Sequence, residues 1–184
     1  IKIGLPMALT GALGSVALWS LAEARLDRDF ALRVAPTSVA LNAGATRLVA
    51  ASRDAVTLAD VATGAVIAQL TTQTEFVLPP AFSTDGGYFM VAERVDEAPP
   101  LFSLLSADDG SLLASSTGVS DARDWVLGPG ARYVAVRGDS GELRVLDPRT
   151  GAELATLAHP REVRRVLPLS DGASLLTVDA AGDV

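Results

Sequence analysis

At 184 residues and 49% hydrophobic, the chain is long enough to bury a sizeable core and too apolar to remain disordered. Its net charge of −7, from 22 acids against 15 bases, repels phosphate backbones, so no nucleic-acid partner is expected. The absence of cysteine removes disulfide scaffolds, cysteine nucleophiles and thiolate zinc sites, and leaves the redox compartment open.

In chain order, the first feature is an uncharged run over residues 3–22, in a chain that is 20% charged. Lys2 precedes it, and Ala22 and Ala24 flank Glu23 in the small-x-small pattern of a signal peptidase site. The run has roughly the 20 residues that a membrane-spanning helix needs, and its Gly4, Pro6, Gly11 and Gly14 are tolerated in such helices. Residues 1–25 are therefore expected to form an uncleaved signal-anchor or transmembrane helix. That helix would contact the inner membrane through residues 3–22, with the rest on the periplasmic side. A second reading makes residues 14–21 the last strand of an earlier repeat, because they match the apolar positions of residues 54–61, forty residues on.

From residue 26 onward one phrase returns. A Gly-containing turn precedes an apolar strand at Gly44, Gly86, Gly130 and Gly172, spaced 42, 44 and 42 residues apart. A second turn marker runs in step at Gly64, Gly110 and Gly151, spaced 46 and 41. Between them, apolar and polar residues alternate with the two-residue period of strands, as Tyr133, Ala135 and Arg137 do with Val134, Val136 and Gly138. Helical repeats are excluded, because the glycine turns interrupt any run of ten residues with helical spacing. A period of 40–45 residues with four short strands per unit is the pattern of β-propeller blades. The expected fold is all-β: a partial β-propeller over residues 26–184, with about 3.5–4 four-stranded antiparallel blades. The repeat interrupted at residues 182–184, and the start without Met, lead to the expectation that the chain belongs to a longer protein.

The unit containing His159, Ser170, Asp171 and Gly172 resembles a WD-repeat unit, in which a His opens the blade and an S-x-D-G-like turn follows. Where that family closes a strand with Trp-Asp, this chain has Leu146-Asp147 and Ala59-Asp60, keeping the Asp and losing the Trp. The Asp-x-x-Thr-Gly phrase, Asp147 to Gly151 and Asp60 to Gly64, also looks like the bacterial quinoprotein-like propellers. The resemblance covers residues 26–184. It implies a divergent propeller and bears on the architecture rather than on the function, for which the repeat, the missing catalytic constellations and the uncharged start lead to the expectation of a scaffold for protein partners. It also leaves two alternatives: a quinoprotein-like enzyme whose site lies in other blades, or a cytoplasmic WD-like module of a signalling protein.

The residues themselves offer little chemistry. His159 is the sole histidine, which excludes histidine metal clusters, and no base stands near Ser111, Ser115 or Ser116 for nucleophilic catalysis. No phosphate-binding glycine loop is present. Asp108, Asp109, Asp121 and Asp124 lack the alternating spacing of a calcium loop. Arg161, Arg164 and Arg165 read as a solvated rim. No catalytic, cofactor-binding or metal residues are therefore expected. Two loop features remain as binding candidates: a charged, Pro-ended insertion at residues 93–100, and Arg123, Asp124 and Trp125, where an aromatic beside an Arg forms a common interface anchor. Arginine-rich usage, with Lys2 as the only lysine, suggests a bacterial coding sequence. The functional expectation is a membrane-anchored, non-catalytic scaffold subunit of a larger bacterial complex.

Overall fold

The computed structural model describes residues 7–12, 15–20, 23–32, 35–139, 141–159, 161–169 and 171–181. Lys2, Ala22, Ser170 and residues 182–184, on which parts of the leader and blade readings rest, lie outside the described residues.

The described chain is a succession of antiparallel meanders, each strand hydrogen-bonded to its neighbour in sequence. The first sheet holds β1 (Met7–Ala12), β2 (Ser15–Ser20) and β3 (Arg25–Ala31). The second holds β4 (Ser38–Leu41), β5 (Arg47–Ala51), β6 (Ala55–Asp60) and β7 (Val66–Thr71). The third holds β8 (Phe76–Phe82), β9 (Tyr88–Val95), β10 (Ala98–Ser106) and β11 (Leu112–Thr117). In the fourth are β12 (Asp124–Leu127), β13 (Val134–Arg137), β14 (Leu143–Leu146) and β15 (Glu153–Leu157). The fifth contains β16 (Val163–Pro168) and β17 (Leu175–Asp179). The two glycine markers take fixed places in this plan: one set lies between the first and second strands of a sheet, the other between the third and fourth.

The transmembrane helix expected over residues 3–22 is corrected by the structure. Its described part forms β1 and β2, which pair from Met7↔Ser20 to Ala12↔Ser15, and β2 pairs in turn with β3. Val16 and Leu18 are fully buried, packed with Phe30, Leu48, Ala50 and Ala59. An uncharged run satisfies a strand packed on a neighbouring sheet as well as it satisfies a lipid-facing helix, and hydropathy alone does not separate them. Among the described residues no helix is long and apolar enough to cross a membrane.

Each inner sheet buries both faces, and the pleat assigns alternate residues to opposite neighbours. In the second sheet, Leu48 and Ala50 face the first sheet, while Val49 and Ala51 pack with Phe89, Val91 and Leu105 of the third. In the third sheet, Met90, Ala92, Phe102 and Leu104 turn the other way, towards Trp125, Val134, Val136 and Leu146 of the fourth. Tyr133, Ala135 and Leu143 then meet Val163 and Val166 of the fifth. The core is therefore four successive layers between five sheets. A one-residue slip in any inner strand would exchange its two sets of partners.

First strands of consecutive sheets lie side by side: β4 with β8, β8 with β12, and β12 with β16. A parallel bridge joins Ser83 to Leu127, and the Trp125 indole Nε1–H donates to the Pro79 carbonyl at 2.7 Å. Pro79 and Pro80 have no N–H to give, and β8 accommodates them in an irregular stretch of its pairing between Leu78 and Ala81. The turn ends are latched as well. The Arg47 guanidinium pairs with Asp60 at 2.6 Å and donates to the Ala107 carbonyl of the next sheet, and the Gly130 N–H donates to Asp85 at 2.7 Å.

The insertion expected as a loop at residues 93–100 is a longer hairpin. β9 and β10 extend until Val95 pairs with Ala98, with Asp96 at φ 45° in the two-residue turn. An irregularity between Ala98 and Leu101 takes up Pro99 and Pro100.

The third-to-fourth strand turn of each sheet packs on the last strand of the sheet before it. Gly110 has φ +75°, and a Cβ there would stand 2.3 Å from the Ala68 Cβ of β7. Gly110→Ala is therefore expected to destabilise the chain by about 2–4 kcal/mol, from left-handed backbone strain and overpacking together. Urea unfolding of the variant checks this; an unchanged midpoint would refute the close junction.

Candidate functional site

At one end of the stack the β5–β6, β9–β10 and β13–β14 turns gather with the connections between sheets. Two clefts open there. One, of about 260 Å³, is lined by residues including Leu78, Arg94, Asp96, Ser120 and Arg123. The other, of about 300 Å³, is lined by Arg53, Thr74, Glu75, Arg94 and Asp96 among others. Arg94 and Asp96 belong to both, so the two form one groove across the turns of the second, third and fourth sheets.

The groove is built from shared ion pairs. Glu75 lies in the connection between the second and third sheets. Its carboxylate accepts from Arg94 Nε at 2.6 Å and from Arg53 Nε at 3.1 Å. The backbone N–H of Arg94 also donates to the Glu75 carbonyl at 2.8 Å, which holds the hairpin against that connection. On the far side, Arg123 forks onto Asp139, with Nη2 donating to Oδ2 at 2.6 Å and Nε to the other oxygen. Asp121 accepts from the Asp139 backbone N–H at 3.2 Å and so fixes the turn that carries Asp139. All three arginine heads remain exposed.

These pairings set the protonation of the carboxyls. The Arg94 hydrogen bond, reinforced by the charges of Arg94 and Arg53, holds Glu75 below its ordinary range against a smaller opposing effect of burial. Asp139 is lowered first by its hydrogen bond to Arg123. Asp60 is lowered by the Thr63 N–H and hydroxyl, with Arg47 contributing less. A carboxyl depressed by folding releases its proton more readily in the native state, so the unfolded chain binds more protons in acid. Their stabilisation is present above the ordinary carboxylate range near pH 4 and is lost as pH falls through the depressed native values. The urea midpoint is expected to decrease steadily from about pH 5 to pH 3. A midpoint that stays flat or rises on acidification would show that these carboxyls do not contribute.

Of the three site residues expected from sequence, the structure brings only Arg123 into the groove. Asp124 is exposed, and its carboxylate accepts from the following residue's own N–H, at 2.9 Å. Trp125 is 5% exposed; its ring meets Phe102 edge-on, with centroids 4.7 Å apart, inside the layer between the third and fourth sheets. It is a core residue, out of reach of a docking partner. Arg94 and Asp96 fall in the stretch at residues 93–100 singled out in the sequence, whereas Arg53, Glu75 and Asp139 had no local signal.

The other candidates lie outside the groove. Asp109 accepts from the Ser111 N–H and hydroxyl within its own turn. Arg161 pairs with Asp179 at 3.2 Å, and Arg164 and Arg165 are exposed on β16. His159 is half-buried, and its Nδ1 makes no hydrogen bond among the described residues. Among the described residues no three His, Asp or Glu side chains gather in a metal-binding cluster. No protein-family model matches the chain, and no curated protein matches its sequence.

Proposed function

We propose that the chain is a set of blades from a β-propeller and serves as a non-catalytic platform for protein partners within a larger assembly. The four-stranded meanders, the side-by-side first strands and the shared turn period support the propeller reading. The observation that carries the functional reading is the charged groove, formed by turns from three successive sheets and lined by Arg53, Arg94, Arg123, Glu75 and Asp96. Turns held on a rigid stack are suited to recognition. Exposed ion pairs contribute about 0–1 kcal/mol each, so Arg94 and Arg123 re-pair with a partner's carboxylates at little cost to the fold. Charge placement of this kind sets register and rejects wrong partners more than it adds affinity. The partner is a protein presenting an acidic loop to this end of the stack.

The test is cross-linking mass spectrometry on the full chain in cell extract, beside an Arg94→Glu/Arg123→Glu variant whose melting is checked first. Cross-links from the surroundings of Arg94 and Arg123 that disappear in the folded variant would support the reading. Identical cross-links in both proteins, or cross-links confined to other faces, would overturn it.

A further inference from the structure

The arginines of the groove are not all held alike. Arg123 commits both Nε and Nη2 to Asp139, so its fork is already closed on a carboxylate. Arg53 and Arg94 each use Nε alone, and both use it on Glu75. Arg94 takes one carboxylate oxygen at 2.6 Å and Arg53 the other at 3.1 Å. Among the described residues, the Nη nitrogens of Arg53 and Arg94 make no hydrogen bond. Their side chains are 80% and 58% exposed, against 29% for Glu75, so the carboxylate is the inner member of the set and the guanidinium heads the outer ones.

Glu75 is itself fixed from both sides. The Thr72 N–H donates to the Asp54 carbonyl at 3.0 Å and the Phe76 N–H to the Arg53 carbonyl at 2.8 Å. The Arg94 N–H donates to the Glu75 carbonyl at 2.8 Å. The backbone around Glu75 is thus tied to the turn that carries Arg53 and to the strand that carries Arg94. The second and third sheets are packed against neighbours on both faces, so this arrangement does not depend on either end of the stack. A long side chain gives up rotamer freedom when it grips a ligand, and one already ordered by a second contact gives up less.

We propose that Glu75 is a positioning residue, which sets Arg53 and Arg94 side by side so that their free Nη groups receive a carboxylate of the partner's acidic loop. This role rests on the groove being a platform for an acidic protein partner. The planar edge of a guanidinium matches the two oxygens of a carboxylate, so the occupant is an Asp or Glu side chain. Arg53 and Arg94 together carry one positive charge more than Glu75 neutralises, and the incoming carboxylate balances it. At this pair the partner adds to the existing pairing, whereas at Arg123 it has to displace Asp139. Arg53 and Arg94 are therefore the first anchor.

Fluorescence anisotropy with a labelled hexaglutamate peptide tests this on the 184-residue chain. Charge alone predicts tighter binding by Glu75→Gln, because an acid is lost from the groove. The positioning role predicts the opposite sign. The amide keeps the size of the side chain but offers a single acceptor to two arginines, and affinity is expected to fall about fivefold or more at unchanged melting. Arg53→Lys, which keeps the charge and loses the fork, is expected to weaken binding as well. If Glu75→Gln does not fold, Arg53→Lys decides alone. A folded Glu75→Gln or Arg53→Lys variant that binds as tightly as the unmodified chain, or more tightly, overturns the positioning role. The groove reading survives that result if Arg94→Glu/Arg123→Glu still abolishes binding. An unmodified chain that binds no hexaglutamate, or a folded Arg94→Glu/Arg123→Glu variant that binds it equally well, overturns both.

Discussion

Trp125→Ala is expected to lower the unfolding free energy by about 3–5 kcal/mol, the range for removing a large aromatic from a packed core. The residue is 5% exposed, lies against Phe102 and closes the layer between the third and fourth sheets. It also donates its indole N–H to the Pro79 carbonyl of β8. Trp125→Phe separates the two roles: it keeps a ring in the layer and removes the donor. Its cost is expected to be smaller than that of the alanine change, with about 1–3 kcal/mol arising from the unpaired carbonyl. Denaturant unfolding measures both. If alanine leaves stability unchanged, Trp125 is not the core residue described above and its reading as a surface anchor returns.

Leu18→Ala is the second large effect, at about 2–5 kcal/mol. Leu18 is 0% exposed and packs with Phe30 and Leu48, so its loss leaves a void between the first and second sheets. Its neighbour Trp19 is 38% exposed on the opposite face, and Trp19→Ala should cost clearly less. This alternation separates a strand from a lipid-facing helix. In the strand, adjacent positions differ sharply in cost; in the helix, neither change would alter the unfolding of the remaining chain. Equal and negligible effects at both positions would restore the anchor reading of residues 1–25.

Much of the repeat plan was legible because its signals are local. Gly44 and Gly64 sit in turns between strands of one sheet, and a turn advertises itself within a few residues. Strand alternation was equally local, as in Tyr133 to Gly138. Residues 3–22 misled for a physical reason. Lack of charge reports only that the segment avoids water, and a strand covered on one face and paired on both edges avoids water too. The stretch at residues 93–100 misled through its prolines, which break regular pairing yet were absorbed at an irregularity in β10. The candidate site was legible in part. Arg123 and the hairpin carrying Arg94 stood out, but Glu75 lies 19 residues from Arg94, and Asp139 lies 16 from Arg123. No local pattern joins them.

The sequence by itself determined the period of the chain, the places of its turns and which residues alternate in its strands. Those properties follow from backbone preferences and side-chain polarity over a few positions. Only the tertiary structure decided which side of each strand meets which neighbour, that Trp125 lies inside, and that residues 7–12 and 15–20 are strands. It also decided that Arg53, Arg94 and Arg123 share one groove. These facts depend on faces and turns brought together from distant parts of the chain, and the residues concerned have the same polarity under either outcome.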